Sequence, residues 1–215
     1  MEESTSKEKV LKKIRNALLS GTEVPYPGTD AELPLFHKPG ESLDVVFAQA
    51  FTRAGGMFVF CENEKELVSS LQVILEDLPD GDLFCQEQTI GAYLVKAGIP
   101  FCSGSRDLEA SKVSVTGCEA LVAHPGSIVV SSAQTEGRKI CIFPDSQIVI
   151  GFSSQLTRDL QQALSYLNRK YEPDYPSLIS VITGPSRTAD IEKTLVMGAH
   201  GPRNLYLFYV DRTEN

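Results

Sequence analysis

Apolar residues recur at helical spacing near the start of the chain. Val10, Leu11, Ile14, Ala17 and Leu18 share one face of residues 7–19, with lysines and Arg15 opposite. That period predicts an amphipathic helix, stopped by Gly21. Pro25, Pro27, Pro34 and Pro39 then punctuate the stretch from Thr22 to Gly40. Proline sustains neither helix nor central strand, so an extended connector is expected there. Residues 1–40 read as an N-terminal helix and proline-rich connector, an appendage that packs on the main domain or on a neighbouring subunit. Residues 41–215 read as an α/β domain.

From Glu41 onward the period switches repeatedly. Leu43, Val46, Phe47, Ala50 and Phe51 mark a helix over 41–54, ended by Gly55-Gly56. Met57 to Cys61 is a continuous apolar run, the pattern of a buried strand. Asn63 with Glu66 three residues on is a capping signal, and the helix it opens carries Leu67, Val68, Leu71, Ile74 and Leu75. Leu83 to Cys85 is a short strand, Thr89 to Ala97 a helix, and Ile99 to Phe101 extended chain. Strands alternating with helices predict βαβ units and a mostly parallel, Rossmann-like sheet with helices on both faces.

The middle differs. Val113 to Val115, Ser127 to Ser132, Arg138 to Phe143 and Gln147 to Phe152 are closely spaced β-rich runs, with the loop Thr135-Glu136-Gly137 among them. They predict an antiparallel meander or hairpin section attached to the sheet. A helix over 154–168 follows, then a strand from Leu178 to Thr183 and a final strand from Leu205 to Val210.

Composition narrows the partners. The 215 residues carry 28 acidic against 20 basic side chains, a formal net charge of −8. Such a field repels phosphate backbones and anionic lipid surfaces, so neither nucleic acid nor membrane is expected as a partner. The charged N-terminus lacks a signal-peptide core and no apolar run approaches a membrane span, so a cytoplasmic protein is expected. Cys61, Cys85, Cys102, Cys118 and Cys141 are widely separated, with no C-x-x-C or C-x-x-H pair. They are expected as free, mostly buried thiols, with no bound metal and no cofactor.

Polar chemistry concentrates after the Leu178–Thr183 strand, between Thr183 and Arg203. Gly184 permits close backbone approach and Pro185 stiffens the turn. Ser186 and Thr188 offer hydroxyls, and Arg187 a planar fork suited to a carboxylate or phosphate. In open α/β sheets ligands bind outside the carboxyl ends of strands, so Thr183, Gly184, Ser186, Arg187 and Thr188 are candidate contacts to an anion. Asp190 and Glu192 can orient Arg187 or carry protons, and His200 can act as general acid or base near neutral pH. The alternative is a structural turn in which Asp190 pairs with Arg187. Gly126 and Ser127, at the start of another apolar strand, and Arg138 are further candidate anion contacts.

The run ITGPSRTADIEKTLVMGAHGPRNLYLFYVD resembles the C-terminal signature of the lactate utilization protein C family, the LUD-domain proteins. VTGCEALVAHPGSIVV and GRKICIFPDSQIVI resemble its central section. The resemblance implies a fold like that of the ribose-5-phosphate isomerase and CoA-transferase superfamily. It also implies association with the oxidation of L-lactate to pyruvate, beside iron–sulfur partner proteins. His124-Pro125 stands where members often have an acidic residue and threonine, so no catalytic acid carries over to that position. The cysteine clusters of the larger iron–sulfur member have no counterpart in this chain.

Two classes of function follow. One is a subunit without its own redox centre, binding a small organic acid anion or docking to an iron–sulfur partner, with a homodimer compatible with the N-terminal helix. The other is a self-sufficient isomerase or acyl/CoA transferase on a small anionic substrate, with Arg187 holding the anion and Glu192, Asp190 or His200 serving catalysis.

Overall fold

The computed structural model describes residues 6–19, 41–76, 82–104, 108–134, 138–191, 194–198 and 201–212, with backbone only at 17–18, 138, 188–191 and 194–197. The chain divides into Met1–His37 and Lys38–Asn215. In the first unit, helix α1 (Ser6–Leu19) has the expected amphipathic pattern, with Val10, Leu11 and Ile14 exposed.

The second unit begins with α2 (Leu43–Arg53), β1 (Met57–Cys61), α3 (Glu64–Glu76), β2 (Leu83–Phe84), α4 (Gln88–Lys96) and β3 (Val113–Thr116). The cap read at Asn63 is real. Its Oδ1 accepts from the Lys65 and Glu66 amides at 3.0 and 3.1 Å, and Glu66 Oε2 accepts from the Glu62 amide at 2.7 Å. Two orphan donors near the helix start are thereby satisfied by Asn63, and a third by Glu66. The chain continues through β4 (Ala120–Val122), β5 (Ser127–Ser131), β6 (Ser146–Phe152), β7 (Leu156–Thr157), α5 (Leu160–Tyr171) and β8 (Ile179–Ile182). It ends in a hairpin, β9 (Arg187–Ile191) with β10 (Thr194–Met197), and β11 (Asn204–Val210).

The central sheet has the order β1-β11-β6-β3-β2, and every neighbouring pair is parallel. A second sheet has the order β7-β4-β5-β8, antiparallel at β4/β5 and β5/β8 and parallel at β4/β7. Side-chain alternation explains the stacking. Ile148 and Ile150 of β6 and Phe208 and Val210 of β11 face Leu67, Leu71 and Leu94 of α3 and α4. Val149, Leu205, Leu207 and Tyr209 face the other way, onto Phe47 and Phe51 of α2 and Leu121 and Ile128 of the second sheet. The outer face of that sheet, Ala120, Val122 and Val129, covers Ala163 and Leu167 of α5. The mixed α/β fold with a mostly parallel central sheet is therefore as expected.

Local differences have physical causes. Residues 138–143 form no strand: Arg138–Cys141 is a 3₁₀ turn, and the Ile142 and Phe143 amides both donate to Lys139 O at 3.0 Å. Pro144 follows, and a residue before proline is driven out of helical geometry, which ends the turn. The runs at Val113 and Gln147 belong to the parallel sheet rather than to a meander. The helix expected over 154–168 starts later, at Leu160, because Asp159 Oδ1 caps it through the Gln162 amide at 2.9 Å. Ahead of it, Gln155 ties the chain down by accepting from the Phe152 amide at 2.8 Å.

Candidate functional site

The loop leaving β8 meets the amino ends of β6 and β11. Between them lies a cavity of about 250 Å³ lined by Cys141, Gln147, Val181, Ile182, Thr183, Gly184, Pro185, Ser186, Gly201, Pro202 and Leu205. Gln147 and Leu205 are register partners in the central sheet. The loop leaves the carboxyl end of a strand, as read from the sequence, but that strand is β8 of the second sheet. Its exit delivers Thr183–Ser186 to the amino end of the parallel pair.

Three candidate binding residues, Thr183, Gly184 and Ser186, line this cavity together. A fourth joins them: Ser127 Oγ lies 2.7 Å from Thr183 Oγ1, linking the start of β5 to the end of β8. The Ser186 amide donates to Pro202 O at 2.9 Å, and the Gly198 amide to Ser186 O at 3.0 Å. These two bonds hold the loop against the segment before β11.

Other candidates are employed differently. The Arg187 guanidinium donates through Nη2 to Ala54 O, just past the end of α2. A cation on the last carbonyls of a helix is favourable there. Gly184 has φ +76°, and a Cβ on it would strike the Ala54 backbone, so the loop needs glycine to approach α2. Gly126 has φ +82° and packs on the backbone of Ala50 and Phe51, while its amide donates to Val122 O at 3.0 Å. It is a turn glycine seated on α2, and its amide is committed to that turn. Thr188 and Asp190 lie on β9, and Arg138 opens the 3₁₀ turn, with side chains outside the described residues. Glu192 and His200 lie outside the described residues altogether.

Gln147 and Cys141 were not among the sequence candidates. Gln147 is 1% exposed in the middle of the central sheet, and its Nε2 donates to Cys141 Sγ at 3.7 Å. Burial raises the Cys141 thiol above its ordinary value, partly offset by that hydrogen bond. A glutamine directly before the apolar run Ile148–Ile150 was the available signal, because burying an amide without good partners costs about 1–3 kcal/mol.

Two carboxylates at the carboxyl ends of the parallel strands, Glu64 and Glu87, are paired with neighbouring groups, while the buried Thr116 Oγ1 at the end of β3 has no partner among the described residues. Glu64 accepts from Tyr93 Oη at 2.8 Å and Arg212 Nη2 at 3.1 Å, with Lys96 Nζ 3.6 Å away. The hydrogen bond from Tyr93 is the main reason its carboxyl sits below the usual value. Glu87 Oε1 accepts from the Gly117 amide at 2.7 Å. Burial raises its carboxyl, against that hydrogen bond and with help from the charge of Glu119. Among the described residues, no group of three or more His, Cys, Asp or Glu side chains is placed to hold a metal. Nor is any described helix long and apolar enough to cross a membrane.

Half of the chain, residues 103–210, matches the model of the LUD domain. Lactate utilization protein C of Geobacillus sp. strain WCH70 is 36% identical over 107 residues, 48% of this chain and 44% of that protein. The protein of the same name from Anoxybacillus flavithermus is 28% identical over 189 residues, 82% of this chain and 84% of its own. The chain spans less than half the length of the first curated relatives it matches. A solved structure of a DUF162 family protein from Deinococcus radiodurans superimposes with a TM-score of 0.60 at 18% identity, covering 80% of this chain and 99% of that one. That likeness concerns the fold. The matched region takes in β3 through β11, and with them every residue lining the cavity.

Proposed function

The chain belongs to the LUD domain family, and from that premise we propose that it serves lactate utilization by holding a small organic acid anion in the cavity beside Thr183, Gly184 and Ser186. It does so as a subunit without a redox centre of its own. The observation that carries this reading is the cavity itself, which gathers Thr183, Gly184 and Ser186, with Ser127 bonded to Thr183. The relatives named lactate utilization protein C supply the chemical context.

Size supports a ligand of a few heavy atoms. At about 250 Å³ the cavity lies below the roughly 300–1,000 Å³ of sites that enclose drug-sized ligands. Its described lining offers hydroxyls, a thiol and a carboxamide, and no carboxylate to repel an anion. This favours acid binding over the transfer of a CoA-sized group.

Oxidising a 2-hydroxy acid to the 2-keto acid releases two electrons and two protons. An iron–sulfur partner protein is the proposed acceptor of the electrons. The cysteines of this chain are suited to packing: burial pushes the Cys61 thiol up to about 11 and Cys85 to about 12. Such thiols stay protonated at neutral pH. The same reading places the protein in the cytoplasm, where thiols remain reduced.

The test is a thermal-shift screen of the purified chain with L-lactate, pyruvate, glycolate, sugar phosphates and CoA esters, joined to a turnover assay with an artificial electron acceptor. A ligand that binds only the native state raises the melting temperature. The small monocarboxylates are expected to do so, with no turnover by the chain alone. Stabilisation by CoA esters only, or lactate turnover without a partner, would overturn the reading.

A further inference from the structure

We propose that Gln147 is the specificity-determining side chain of this cavity, its carboxamide receiving the carboxylate of a small 2-hydroxy or 2-keto monocarboxylic acid. The inference rests on the reading of the cavity as an acid site and adds the residue that selects the acid. Gln147 is the second residue of β6, in the middle of the parallel sheet, and is flanked by the fully buried Ile148. Interior strands of this kind are ordinarily apolar throughout. The side chain is 1% exposed and lines the cavity.

A glutamine carries two N–H donors and a carbonyl acceptor. The bond that Gln147 makes to protein is a long one, 3.7 Å from Nε2 to the Cys141 thiol, and sulfur is a weak acceptor. Its remaining donor and its carbonyl therefore have more to gain from a ligand than from this contact. Across the cavity stand Ser186 and Thr183, the latter paired with Ser127. A carboxylate takes the amide N–H, and a neighbouring hydroxyl or keto oxygen meets the serine and threonine hydroxyls. Hydrogen bonds to a charged group are the stronger kind, and leaving a buried polar group unmatched is costly. The amide therefore favours the acid over its neutral analogue.

Calorimetric titration of the full chain with L-lactate, pyruvate and lactamide tests this, using wild type, Gln147→Leu, Gln147→Glu and Ser186→Ala. Gln147→Leu is expected to weaken both acids about tenfold or more, and Ser186→Ala to weaken them less. Gln147→Glu sets a carboxylate against the ligand and is expected to invert the preference, so that lactamide binds better than lactate. A glutamine remote from the bound acid would not produce that inversion, and the Gln147→Leu variant reports whether the amide itself holds the carboxylate. Melting curves identify variants that fail to fold, and Gln147→Leu, close in volume, keeps the test alive if the glutamate variant does not. Wild type that binds lactate, with a folded Gln147→Leu variant that binds it equally, would overturn this inference while leaving the acid site standing. Wild type that binds neither acid would overturn both.

Discussion

Glu119 Oε2 lies 2.7 Å from Lys170 Nζ, and the glutamate side chain is wholly enclosed while the lysine keeps 39% exposure. Ser131 Oγ and Tyr171 Oη donate to the other carboxylate oxygen at 2.5 and 2.6 Å. Burial pulls the ammonium down, but the hydrogen bond and charge of Glu119 outweigh it and hold Lys170 above the ordinary lysine value. One carboxylate thus fastens the end of α5 to the second sheet.

Lys170→Met leaves that carboxylate enclosed without its counter-ion. Removing one partner of a buried pair costs about 3–5 kcal/mol, and the lower end, about 3 kcal/mol, is expected because Lys170 is partly exposed and two hydroxyls remain. The double variant Glu119→Gln/Lys170→Met is expected to recover part of the loss. Urea unfolding of the single and double variants measures both.

Glu87 gives a pH dependence of defined sign. Its carboxyl is raised above 4.5, first by burial, so the native state binds the proton more tightly than the unfolded chain. That stability is fully present below 4.5 and is lost as pH rises through the native value. The carboxamide of a Glu87→Gln variant can still accept from the Gly117 amide but cannot titrate. The stability of that variant is expected to fall less than that of wild type between acidic and neutral pH, measured by denaturant unfolding across that range. Parallel pH profiles for the two proteins would refute the assignment.

Gly98 and Gly126 separate backbone strain from contact. Both have positive φ, +71° and +82°, but a Cβ on Gly98 meets nothing within 4 Å while one on Gly126 strikes the α2 backbone. Gly98→Ala is expected to cost about 1–2 kcal/mol from the left-handed conformation alone. Gly126→Ala is expected to cost at least about 1 kcal/mol more from overpacking. Melting temperatures of the two variants give the comparison.

Arg187 caps α2 in this fold, through Ala54 O. Arg187→Ala is expected to lower stability by about 0.3–1 kcal/mol, the usual range for an exposed cation at a helix end. Its effect on acid affinity is expected to be smaller than that of Gln147→Leu, as calorimetry on the same ligands would show.

Elements that act locally were legible in the chain. The helix at Asn63 announced itself through its cap, and β1 and β11 through unbroken apolar runs, although β1 is an edge strand with Met57 and Phe60 exposed rather than the buried strand its run predicts. What escaped depended on distant partners. β4 is three buried residues whose strand character comes from pairing with β5 and β7. The segment after Arg138 has strand-like residues, yet its backbone closes on itself at Lys139 O.

The site was half legible for the same reason. Thr183, Gly184 and Ser186 are nearly contiguous, so their polarity after an apolar strand stood out. Gln147 is 36 positions before Thr183 and joins it only because β6 and β8 meet at one cavity. Arg187 has the right chemistry for an anion, and its contact with Ala54 O at the end of α2, 133 positions away in the chain, was not legible in the sequence.

The most direct measurement is a titration of isotopically labelled chain with L-lactate, followed by amide chemical shifts. A small acid held in the cavity requires saturable shifts centred on Thr183, Gly184, Ser186 and the Gln147 side-chain amide. Shifts that never saturate, or that centre on Asn63, Lys65 and Lys96 beside α3, would contradict it.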